Sequence, residues 1–64
     1  MDDPSTAALL ALSYANNIEA MRRVLATAER AGGRALGLTA AEIQHAIDAL
    51  EQQRRHFALL AAKD

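Results

Sequence analysis

The chain has 64 residues, no cysteine, and seven Lys and Arg against eight Asp and Glu, for a net charge of −1. That length excludes more than one domain, the missing cysteines exclude disulfide staples and thiolate chemistry, and the charge balance excludes whole-molecule attraction to nucleic acid or an anionic membrane. Apolar residues make up 52% but aromatic residues only 3%, an alanine-rich balance that suits closely approaching helices and leads us to expect no strand anywhere.

The N-terminal Met1-Asp2-Asp3-Pro4 is acidic where a secretory signal is basic, and the apolar run from Ala7 to Leu12 is too short to span a bilayer. A soluble, cytoplasmic protein is the expectation. Asp3 before Pro4 fits an N-cap with proline at the first helical position, and nothing breaks a helix before Ala31. Over 4–31, Ala7, Ala11, Tyr14, Ile18, Met21, Leu25 and Ala28 form one stripe in steps of four and three. Leu10, Asn17, Val24 and Ala31 run beside it.

Gly32-Gly33 ends this helix, and Gly37 permits a second bend, so residues 32–39 read as a short loop between antiparallel neighbours. The sharpest local signal follows. In Leu38-Thr39-Ala40-Ala41-Glu42-Ile43, Thr39 and Glu42 have the spacing of a capping box, and Leu38 can staple onto Ile43. A second helix over 40–62 carries Ile43, Ala46, Ile47, Leu50, Phe57, Leu60 and Ala61 on its apolar face, interrupted by Gln53 and Arg54.

Folding the chain at the loop, with Ala31 opposite Ala40, makes residues level when their numbers sum to about 71. Tyr14 then meets Phe57, Met21 meets Leu50, and Leu25 meets Ile47. Asn17 falls level with Gln53 and Arg54, so the polar interruptions of both helices share one layer, a device that fixes register at a cost in stability.

Two helices share one interface, yet both stripes are wider than one partner covers. The fold expected is therefore an all-α antiparallel hairpin, residues 1–64 forming one domain that pairs with a second copy into a four-helix bundle. Its core is Tyr14, Ile18, Met21, Leu25, Ile43, Ile47, Leu50 and Phe57. At the open end, away from the loop, Leu9, Leu12 and Leu59 project from the outer flanks, and surplus leucine of this kind marks a contact surface for another protein.

Chemistry is sparse. Glu42 and His45 match the Glu-x-x-His spacing of bundle metal sites, with Glu29 level with them, but Ile43 is the core residue of that turn and turns both away from the seam. No metal, cofactor or small-molecule substrate is expected. Ser5, Thr6, Ser13, Thr27 and Thr39 have no positioned base, so no enzyme is expected either. The main reading is a non-enzymatic protein–protein interaction module, an adaptor, chaperone-like or regulatory subunit.

In helix length and connectivity the chain is similar to the repressor-of-primer family of plasmid hairpins, which are RNA-binding dimers. The resemblance covers architecture and carries no residues over. It implies the alternative of a nucleic-acid-binding regulator, in which the pairs Arg22-Arg23 and Arg54-Arg55 contact phosphates. Glu19, Asp48 and Glu51 lie at helical spacing from these arginines and favour ion pairs on a solvated face.

Overall fold

The computed structural model describes residues 4–62, in which two antiparallel helices, α1 (Pro4–Arg30) and α2 (Ala40–Ala62), are joined by a miniature β-hairpin. The Asp3 cap lies outside the described residues. At its other end α1 closes through the amide of Ala31, which donates to the carbonyls of Thr27 (2.9 Å) and Ala28 (3.1 Å), and through that of Gly33, which donates to Ala28 at 2.7 Å. The bond that reaches back five residues is the signature of a Schellman end, and it requires a left-handed residue at Gly32, whose φ is +85°.

The connection is more ordered than a loop. Strands β1 (Arg34–Ala35) and β2 (Leu38–Thr39) pair antiparallel, with Arg34 opposite Thr39 and Ala35 opposite Leu38. The Ala40 amide adds one further bond to the Gly33 carbonyl at 2.9 Å. This corrects the expectation that no strand would form: backbone sign sets the ribbon rather than β-propensity. Leu36 and Gly37 at its corner have φ of +55° and +76°, the pair of left-handed residues that a two-residue type I′ turn needs.

The helices pack through a continuous core of Ile18, Ala28, Ile43 and Ile47, with Met21, Val24, Leu25, Ala35, Leu38 and Leu50 packed against it. Ala7 is buried as well. Near the open end the rings of Tyr14 and Phe57 stack with centroids 5.7 Å apart and planes 10° apart, as the register rule requires. The expected polar layer is different. Asn17 and Gln53 are exposed, and Arg54 is half-buried, because the two helices alone leave that level open to solvent. Both polar side chains lie outside the seam between α1 and α2.

The start of α2 follows its sequence signal. The Thr39 amide donates to Glu42 Oε1 at 2.8 Å, and the Glu42 amide donates to Thr39 Oγ1 at 3.1 Å. Leu38 joins the core around Ile43, where a staple places it. The hydrogen bonds from Thr39 hold the Glu42 carboxyl below its ordinary value; burial opposes them, and the charge of Arg34 adds the weakest lowering effect.

Because folding lowers this pKa, the stabilisation is present above the unfolded value and is lost as pH falls through the folded one. Glu42→Gln should therefore show a smaller loss of melting temperature than the parent between neutral and acid pH, as followed by circular dichroism. At the turn, Leu36 occupies a conformation that costs a residue with a Cβ about 1–2 kcal/mol. Leu36→Asn should stabilise the fold by about 1 kcal/mol, since asparagine tolerates the left-handed region; an unchanged or lower denaturation midpoint refutes the strain.

Candidate interaction surface

Side-chain chemistry divides the hairpin into sides of different character. On one side, Glu51 of α2 accepts from Arg22 of α1 at 3.0 Å and from Arg54 at 3.3 Å, which stitches the helices together across the seam. An open groove here is lined by Arg22, Leu25, Gln44, Ile47, Asp48, Glu51, Gln52 and Arg55. Its charges are mixed, and Asp48 accepts from Gln44 rather than from an arginine. Arg23 pairs with Glu19 one turn earlier at 2.9 Å. Three of the four arginines of the nucleic-acid alternative thus hold a carboxylate; Arg55 is exposed in the groove wall.

The opposite side is uncharged over most of its length. In α1, Leu10, Asn17 and Val24 recur every seven residues with Tyr14 and Met21 beside them; in α2, Ala46, Gln53 and Leu60 recur likewise with Leu50 and Phe57 beside them. Tyr14, Met21, Val24, Leu50, Phe57 and Leu60 are only half-buried. Of the expected core, Ile18, Ile43 and Ile47 are fully covered by the hairpin itself, whereas Tyr14, Met21, Leu25, Leu50 and Phe57 are not.

At the open end Leu9, Leu12 and Leu59 are 68%, 59% and 67% exposed. Leu12 lies six residues before the buried Ile18, well round the helix from the seam. Among the described residues the most exposed large apolar side chain is Leu36, at 81%, which no periodic pattern in the sequence marks. Its backbone sign comes from the turn, and the only hint is the glycine after it. Beside Leu36, a shallow apolar pocket is lined by Arg23, Val24, Thr27 and Ala35.

Two of the hydroxyls are engaged with backbone groups: that of Thr27 donates to the Arg23 carbonyl at 2.9 Å, and that of Thr39 caps α2. Among the described residues no group of three or more His, Asp or Glu side chains comes together as a metal site, and no helix is long and apolar enough to cross a membrane. His56 stands edge-on to Phe57, with centroids 5.2 Å apart. No family model matches the chain, and no curated protein or solved structure matches it.

The ionic stitch has a measurable worth. Its members are partly solvated and screened, so Glu51→Gln, which disconnects both Arg22 and Arg54, should cost less than about 1 kcal/mol in urea denaturation, with the difference shrinking at high salt. A larger, salt-independent loss would show that Glu51 organises the fold.

Proposed function

We propose that this chain is a small non-enzymatic interaction module that pairs with a second copy to complete a four-helix bundle and engages another protein through its open end. The observation that carries the reading is the shortage of burial. Among the described residues five side chains are fully buried, Ala7, Ile18, Ala28, Ile43 and Ile47, and two of these are alanines. The accessible surface is 4666 Å², against about 4,000 Å² for a compact chain of this mass. The excess approaches the roughly 800 Å² that one partner contributes to a standard interface. Leu9, Leu12 and Leu59 supply apolar contact area for a further protein, and in this reading the module acts in the cytoplasm as an adaptor, chaperone-like or regulatory subunit.

The nucleic-acid alternative draws on Arg22, Arg23, Arg54 and Arg55, three of which are engaged with carboxylates. An electrophoretic shift with RNA and DNA at two salt concentrations tests it directly, since phosphate contacts weaken steeply with salt.

Light scattering of the purified protein should give twice the 6.9 kDa of one chain, and a cooperatively folded monomer at micromolar concentration would overturn the self-association. For the open end, Leu12→Glu combined with Leu59→Lys should keep helicity and dimer mass while abolishing co-purification of a host protein that the parent retains. If the dimer dissociates instead, these leucines belong to the bundle and the binding end is wrong.

A further inference from the structure

Resting on the self-association proposed above, we infer that two copies meet antiparallel through the uncharged side of the hairpin, on a two-fold axis that passes through the layer of Asn17 and Gln53. In antiparallel helices, a rotation of the same sign away from the shared seam leads to the same side of the pair. At about 100° per residue, Arg22 lies roughly 140° round α1 from Asn17, and Glu51 lies roughly 160° round α2 from Gln53. The Arg22–Glu51 bridge therefore closes one side of the seam, and the Leu10-Asn17-Val24 and Ala46-Gln53-Leu60 series flank it on the other. None of those six residues lines the ionic groove.

That side is self-complementary. Leu10 and Val24 each stand seven residues from Asn17, Ala46 and Leu60 each stand seven from Gln53, and Leu50 and Phe57 bracket Gln53. A two-fold axis across the amide layer exchanges apolar with apolar and amide with amide. Each amide carries both a donor and an acceptor, so Asn17 and Gln53 can pair with their own copies, where a lone carboxylate or ammonium would repel itself. Polar residues at such a central position cost stability and fix register.

The placement of exposed leucine selects the antiparallel arrangement over the parallel one. Leu36, 81% exposed, sits at the loop end, and Leu10, 39% exposed, sits at the open end; a parallel pair would hold these two at opposite ends of the interface. In the antiparallel pair, the loop end of one copy lies over the open end of the other. Val24, Ala35 and Leu36, which line one shallow apolar pocket, then come against Leu10 of the second copy. The exposed, strained Leu36 gains a contact by this placement.

The natural sequence has no cysteine, so single cysteines report proximity without background. Under mild oxidation Asn17→Cys, at the axis, should form covalent dimers at least tenfold faster than Arg55→Cys on the ionic side. An equimolar mixture of Leu10→Cys and Val24→Cys, separated by mass spectrometry, should give the mixed dimer in excess over both self-dimers. Circular dichroism confirms that each variant is folded. A second pair of substitutions, Asn17→Leu with Gln53→Leu, should shift the dissociation constant at least tenfold tighter and erase the preference for the mixed dimer. A dimer by light scattering whose self-dimers at positions 10 and 24 dominate, or which cross-links fastest at position 55, overturns the inference and leaves the self-association standing. A monomer overturns both.

Discussion

Two helices have a single seam between them, and that limit governs the whole molecule. A helix of 27 residues and one of 23 present far more lateral surface than one contact line covers. A two-helix pair can bury only the residues that point at each other, here Ile18, Ala28, Ile43 and Ile47 with Ala7 further along. Everything one position to either side is half-covered at best. Conformational entropy of about 1–2 kcal/mol per residue must be met from this thin line, which is why chains of this size lean on staples, metals or partners. The half-buried Tyr14, Met21, Leu50 and Phe57 hold apolar area that the hairpin alone leaves partly open, and this is the area that the proposed pairing draws on.

The reversal of the chain is held by backbone conformation more than by side chains. Gly32, Gly33, Leu36 and Gly37 all have positive φ, and a Cβ built on any of the three glycines meets nothing within 4 Å. Their glycines are therefore explained by torsion, not by crowding. The hydrogen-bond chain runs without a gap from the Ala28 carbonyl through Gly33, on to Ala40, and into the Thr39–Glu42 box. One helix end is thereby tied to the next helix start, and the Ile43 turn is delivered against Ala28.

Legibility in the sequence followed physical range. The Thr39–Glu42 box and the glycine stop rest on contacts within five residues, and both were readable because those rules are local. The register was readable too: fixing one pair of residues at the turn sets every later pair, as the stacking of Tyr14 on Phe57 shows. The β-ribbon was not, because two paired residues per strand carry no periodicity, and Leu36 gives no propensity signal for the left-handed region it occupies. Nor did spacing reveal that Glu51 bridges to Arg22 on the other helix, since arginines on its own helix satisfy the same rule. The exposure of Asn17 and Gln53 was not legible, because a heptad pattern fixes height along a helix better than it fixes rotation around it.

Electrostatics also sets what each side of the hairpin would lose on being covered, which is the basis for the face chosen in the proposed pairing. Covering the Arg22–Glu51–Arg54 cluster would strip water from three charges that now share it, a desolvation cost that their mutual attraction rarely recovers. The amide side carries no such cost, and its polar atoms can exchange water for each other at nearly even terms. The hairpin thus has one side that carries the interhelical ion pairs and favours solvent, and another that is uncharged from Ala46 to Leu60 of α2 and costs less to cover. In the pairing proposed above, the ion pairs that add little to the stability of one hairpin would select the face by making their own side the worse one to bury.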